Sequence, residues 1–232
     1  MYLKYYQLFL GGIDEAGRGS IIGPLVIAGI SFDSGKLDLL KNMNITDSKK
    51  INPKKREVLF DKIFSICDSI FICKINCSTI DKFVKSNNLN KLESKFMTIV
   101  ADNIHADKII VDSCDVNPSR FQQEIKKNIT NKKISIYSYH KADLDNIFVS
   151  CASIIAKVTR DSEISKLKNL IKDDFGSGYP SDPKTKRFIQ DNDFRKSPKD
   201  YVRYSWKPIK EILDQNIQTK LFVKEMHSLE LL

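Results

Sequence analysis

Apolar and polar positions along the chain alternate between two periods, and the changes between them mark its elements. β-Branched and aromatic runs predict strands over 7–14 and 24–32, on either side of a glycine-rich turn. Asn52-Pro53 supplies a capping side chain and a first-turn proline, and Val58, Leu59 and Ile63 then recur at helical spacing. Residues 70–77 alternate as a strand. Residues 89–104 form an amphipathic helix with Leu92, Phe96, Ile99 and Val100 on one stripe. Lys108–Asp112 is a short apolar strand ending in an acid, Asn117-Pro118 repeats the helix-start chemistry, and residues 134–139 form another strand. A long helix is predicted over 148–172, a further one from Asp182-Pro183, and a last one over 206–220. Strands lead and helices then alternate with strands. The pattern predicts an α/β fold with a central mixed sheet flanked by helices. Residues 1–200 would form the main domain and 201–232 a helical C-terminal extension.

Composition narrows the class. The 232 residues are 41% hydrophobic, enough for a sizeable core, and no apolar run is long enough to span a bilayer. The first ten residues carry too short and interrupted an apolar core for a signal peptide. Lys and Arg total 38 against 29 Asp and Glu, a net charge of +9 that fits either a solvated surface or a polyanion-binding face. The five cysteines are odd in number and sit mostly in apolar runs, as reduced thiols in a cytoplasmic protein do. Cys73-x-x-x-Cys77 has no second Cys or His pair to complete a zinc site.

The candidate chemistry gathers at Gly12-Ile13-Asp14-Glu15-Ala16-Gly17-Arg18-Gly19-Ser20. Two adjacent carboxylates suit a hard cation such as Mg²⁺. A Gly-Arg-Gly turn lets backbone N–H groups approach a phosphodiester while the guanidinium pairs with its oxygens. Asp112 and Asp143 also follow predicted strands, where ligands of open α/β sheets collect. Asp115 and Asp145 are neighbouring acids that spacing alone does not separate from them. His140 is close by and reads as structural. Gly17-x-Gly19 with Gly23 has the wrong spacing for a dinucleotide fingerprint, and a strand follows where that motif needs a helix. The loop from Asp174 to Pro183 is dense in Gly and Pro; its Tyr179 is placed either to stack on a base or sugar or to pack one end of the core.

Taken together these segments resemble ribonuclease HII, most closely the archaeal type. The resemblance rests on Asp14-Glu15-Ala16-Gly17-Arg18-Gly19, Thr46-Asp47-Ser48-Lys49-Lys50, Val111-Asp112, His140-Lys141-Ala142-Asp143, residues 152–161, and Gly176-Ser177-Gly178-Tyr179-Pro180-Ser181-Asp182-Pro183. They occur in family order from about residue 10 to Trp206. The resemblance implies a ribonuclease H-like fold and a single-chain, monomeric endonuclease. Its substrates would be RNA–DNA hybrids and single ribonucleotides in duplex DNA, cut on the 5′ side. It implies a four-carboxylate site of Asp14, Glu15, Asp112 and Asp143 holding two Mg²⁺ or Mn²⁺ ions. Gly17, Arg18 and Gly19 would read the junction, Tyr179 would stack on the neighbouring sugar, and Lys49 would be a weaker phosphate contact. Ser20 stands where many relatives have Pro, which implies a looser turn. Residues 215–222 are faintly similar to a sliding-clamp-binding box, without its fourth-position aliphatic residue or paired aromatics. A non-catalytic hybrid binder and a metal-dependent phosphatase or exonuclease are the competing readings.

Overall fold

The computed structural model describes residues 7–43, 45, 51–192, 199–212 and 214. Strands β1 (Phe9–Ala16), β2 (Leu25–Asp33) and β3 (Ser69–Ile75) form an antiparallel meander, and β4 (Lys108–Asp112) and β5 (Ser135–Tyr139) run parallel to β1. The sheet order is β3-β2-β1-β4-β5. The helices are α1 (Leu37–Asn42), α2 (Pro53–Ile66), α3 (Cys77–Lys85), α4 (Leu89–Asn103), α5 (Pro118–Asn128), α6 (Ala142–Asp145), α7 (Ile147–Ile171) and α8 (Pro183–Asp191). This is the mixed sheet with flanking helices that the pattern predicts.

β2 is buried from Leu25 to Phe32, so it reads as a continuous apolar run because both faces are covered. Leu25 and Ile27 join Ile13, Val111, Met97 and Val100 in one core layer. Val26, Ala28, Ile30 and Phe32 join Leu59, Ile63, Phe148 and Ile155 in the other. Removing each such side chain from water is worth roughly 1.5–3 kcal/mol.

The predicted helix starts are built as the sequence suggests. Asn52, Asn117 and Asp182 each accept a backbone N–H of the first turn, from Lys55, Arg120 and Lys184 respectively. Three readings change. β1 ends at Ala16 rather than Asp14, because its pairing with β2 continues to Ala16–Val26, so the two acids lie inside the strand. α1 and α3 are unforeseen; Asn76 caps α3 through Thr79 N, which places Cys77 in a helix rather than at a strand end. On α4 the buried face is Leu92, Glu93, Met97, Val100 and Ala101, with Phe96 and Ile99 half-buried beside it, since Glu93 is drawn inward by an ion pair. His105 lies beyond α4, edge-on to Phe9 at 4.3 Å. Residues 207–212 are helical, within the predicted 206–220 helix, and the rest of that helix lies almost wholly outside the described residues. All five cysteines are free thiols.

A third apolar cluster decides where the site forms. Ile21 and Ile22 from the glycine turn pack with Ile164, Phe175, Phe188, Val202, Ile209 and Ile212. It draws the 174–182 loop and residues 199–212 against the turn that follows β1. Among the described residues no helix is long and apolar enough to cross a membrane.

Candidate active site

β1 and β4 are parallel neighbours with Ile13 opposite Val111, so Asp14 and Asp112, the next residue on each strand, lie side by side. Beyond β5, Lys141 adopts a left-handed conformation (φ 55°) as the residue before α6. That turn directs the backbone N–H of Ala142 at Asp112 Oδ1, 2.8 Å away, and brings Asp143, the next residue, to the same strand end. The Ser150 hydroxyl holds the Asp143 carbonyl at 2.7 Å, tying α6 to the first turn of α7. Asp14 Oδ1 accepts the Glu15 N–H at 2.7 Å, and the Ser153 hydroxyl of α7 also bonds the Asp14 carboxylate. The side-chain oxygen Oε2 of Glu15 is buried with no hydrogen-bond partner among the described residues.

The competing acids are placed elsewhere. Asp115 accepts Arg120 Nη2 at 2.6 and 2.7 Å, Asn117 N and Asn90 Nδ2, and so serves the start of α5. Asp145 is exposed on α6. His140 is exposed, its Nε2 3.3 Å from the Val116 carbonyl.

The glycine turn is held tightly. Gly17 has φ +87°, and a Cβ there would lie 2.7 Å from the Pro24 carbonyl. The looser turn implied by Ser20 is not what forms. Ser20 is buried, and both its N–H (3.3 Å) and its hydroxyl (3.0 Å) donate to the Gly17 carbonyl. Ile21 and Ile22 N–H groups donate to the Gly178 carbonyl at 2.8 and 3.1 Å, which locks the turn to the Gly-Tyr-Pro loop. Tyr179 is half-buried against the Arg160 guanidinium, 4.5 Å from its ring centre. The aromatic that plugs the core from this loop is Phe175. Arg18 does not project freely, as its Nε and Nη2 bond Glu93 and Asn90. Lys49 lies outside the described residues.

Sequence reading passed over several of the side chains that hold these pieces. Ser153, Lys157 and Arg160 lie in the 152–161 segment on one helix, and their spacing of three and four was the available signal. Arg203 is wholly buried and donates to the carbonyls of Arg18 and Gly23, 185 and 180 residues away in sequence. Nothing local marks it.

The sequence model of the family described as "Ribonuclease HII" matches residues 11–209. The chain belongs to the ribonuclease HII family. It is 41% identical over 206 residues to the ribonuclease HII of Thermococcus sibiricus, covering 88% of this chain and 90% of that one. The crystal structure of the ribonuclease H2 from Pyrococcus horikoshii superposes with a TM-score of 0.81 at 37% identity, covering 90% of this chain and 99% of that chain. The RNase HII of a PCNA:RNase HII complex from Archaeoglobus fulgidus gives 0.78 at 34% identity, covering 88% and 96%. The ribonuclease HII assignment makes the chain a ribonuclease H-type hydrolase on a ribonuclease H-like fold.

In the electrostatics of the site, burial and like charge outweigh the counter-charge of Lys157 and Arg18. Burial raises the Asp14 carboxyl to about 7, with Asp112 adding to the rise and the Ser153 hydroxyl, the Glu15 N–H and Lys157 opposing it. Burial also holds Glu15 well above its ordinary range, helped by Asp14, Glu93 and Asp112 and opposed by Arg18. The sign of the linkage follows. A carboxyl raised by folding keeps its proton better in the native state, so its stabilising effect is complete below about pH 4 and is lost as pH rises through about 7. We therefore expect Asp14→Asn to melt higher than wild type in EDTA at pH 8, by an amount on the order of 2–4 kcal/mol. The two should converge near pH 4. Thermal melts at both pH values check this; equal melting at pH 8 would contradict the raised carboxyl.

Proposed function

We propose that this enzyme cleaves the RNA strand of RNA–DNA hybrids and cuts on the 5′ side of single ribonucleotides in duplex DNA, leaving 5′-phosphate and 3′-hydroxyl ends. One observation carries the reading: the carboxylates at the β1 and β4 ends adjoin a glycine turn whose exposed member is not required by the fold. A Cβ at Gly19 would meet no atom of the described residues within 4 Å, whereas one at Gly17 would collide with backbone. Gly17 serves the turn, and Gly19 leaves room for something outside the protein.

The residues fit a divalent metal. The donors are all hard oxygens, Glu15 Oε2 is buried without a partner among the described residues, and Asp14 and Glu15 are held up by burial and by neighbouring negative charge. No three of the described His, Cys, Asp or Glu side chains already enclose a common point. Asp14, Glu15, Asp112 and Asp143 are the proposed ligands of two Mg²⁺ or Mn²⁺ ions. When bound, such ions supply an activated water and charge stabilisation for the leaving oxygen. The chain's own groups do the rest. Ser153 and Lys157 favour the charged form of Asp14. Backbone N–H groups of residues 17–19 meet the 2′-hydroxyl, the one group that separates the target from DNA. Tyr179 stacks on the neighbouring sugar, and Lys49 is an auxiliary phosphate contact. The Archaeoglobus neighbour is a complex with PCNA; a clamp contact here would use residues 215–222, and a pull-down that retains no cognate clamp removes it.

The test is an end-labelled DNA duplex carrying one ribonucleotide, incubated with Mg²⁺, Mn²⁺ or EDTA. The expected result is a metal-dependent cut on the 5′ side of the ribonucleotide. Tight binding with no cut under either metal would favour the non-catalytic binder, and cleavage from the ends an exonuclease. Tyr179→Ala in the same assay should lose about 10-fold in kcat/KM on the single-ribonucleotide duplex, as expected for one lost stacking contact. Its loss on a long hybrid should be smaller. Equal losses on both substrates would remove Tyr179 from junction reading.

A further inference from the structure

Arg18 spends two of its five N–H donors inside the protein. Its Nε lies 2.8 and 3.1 Å from the two carboxylate oxygens of Glu93, and its Nη2 donates to Asn90 Oδ1 at 2.8 Å. The chain of bonds continues. Asn90 Nδ2 donates to Asp115 Oδ2 at 3.1 Å, and Asp115 is clamped by Arg120. Only Nη1 of the guanidinium has no partner among the described residues, and the Arg18 side chain remains 39% exposed.

Glu93 is the unusual member. It sits at 0% exposure on the apolar face of α4, between Leu92 and Met97. A carboxylate in such a place is costly unless paired, and a packed apolar side chain is often at least as stable. Stability therefore gives a poor account of Glu93. Orientation gives a better one: a buried anion and an amide on consecutive sides of a planar fork leave the guanidinium a single direction.

We propose that Glu93 is a positioning residue for substrate recognition. With Asn90, it fixes the plane of the Arg18 guanidinium so that Nη1 is presented to the phosphate at the ribonucleotide junction. The proposal rests on the reading of Arg18 as a junction contact. Glu93 touches neither the substrate nor the reacting atoms; it acts through Arg18.

The test is a double-mutant cycle on the full chain, with Glu93→Gln and Arg18→Ala alone and combined, read as kcat and KM on the single-ribonucleotide duplex beside thermal melts. Glu93→Gln should raise KM about tenfold and change kcat by less than about twofold, the pattern of lost uniform binding. In the Arg18→Ala background it should add less than about twofold, because the group it positions is gone. Asn90→Ala, at a half-buried position, should show the same dependence on Arg18 with a smaller effect, and it serves if Glu93→Gln does not fold. An equal penalty with and without Arg18, or a lowered melting temperature with unchanged KM, would overturn the positioning role while leaving Arg18 as a contact. An Arg18→Ala protein with wild-type kcat/KM would overturn the contact itself, and the proposal with it.

Discussion

Asp14→Asn is expected to fold as the wild type does and to cleave a ribonucleotide-containing duplex slower by a factor on the order of 10³ or more. The amide is isosteric, so Oδ1 still accepts the Glu15 N–H, and the Ser153 hydroxyl keeps an acceptor. What disappears is one formal negative charge at the point where Asp14, Glu15 and Asp112 already repel one another. The metal-free fold tolerates that loss, since repulsion falls. The proposed metal site would not, because there each carboxylate would supply part of the several kcal/mol by which bound ions stabilise the transition state. Single-turnover cleavage with Mg²⁺ and with Mn²⁺, beside a circular-dichroism melt, separates the two effects. A residual rate within tenfold of wild type in a folded protein would place the metal site elsewhere.

Gly12→Ala is expected to be the most damaging one-methyl change to the fold. Gly12 is paired with Ile30 on β2 and Ile110 on β4, at the centre of the sheet. A Cβ there would lie 2.2 Å from the Phe148 carbonyl carbon, 2.3 Å from its oxygen and 2.4 Å from Val149 N. All three are backbone atoms, so no rotamer change relieves the clash, and the first turn of α7 has to lift off β1. That turn also carries Ser150, which holds Asp143, and leads to Ser153, which holds Asp14. We expect a loss of about 3 kcal/mol or more, roughly 6–12 °C in Tm for a chain of this size, with cleavage falling further. Gly19→Ala is the matched control. With no atom of the described residues within 4 Å it should melt within about 1 °C of wild type, so any fall in its cleavage belongs to the substrate. A Gly12→Ala protein melting with wild type would mean that α7 does not approach β1 so closely.

Local chemistry made much of this protein readable. Asn52-Pro53, Asn117-Pro118 and Asp182-Pro183 are helix starts wherever they occur, because cap and proline act within one turn, and all three formed. The β2 run between Leu25 and Phe32 was readable because a strand buried on both faces has to be largely apolar, and the short Ile109-Ile110-Val111 run marked β4. α3 was missed because Cys77-Ser78-Thr79-Ile80 has the composition of a strand; Asn76 and the contact of Ile80 with the core make it a helix. Phe96 was placed on the buried stripe of α4 because hydrophobicity alone sets that stripe, whereas the ion pair with Arg18 brings Glu93 inside.

The same division holds for the candidate site. By itself the sequence determined the acids, the Gly-Arg-Gly turn, the tyrosine loop and the family, since each is written in adjacent residues. Only the tertiary structure turned Asp115 toward Arg120 and Asn117 while Asp112 took the backbone N–H of Ala142. Only it fastened the glycine turn, through Gly178 at one side and Arg203 at another. And only it showed that the Arg18 guanidinium is already held by Glu93, 75 residues further along. Periodicity and capping act over a few residues, and so they are visible in a chain read in order. The orientation of a buried charge depends on which distant partner the fold brings within hydrogen-bond reach, and no local pattern records that.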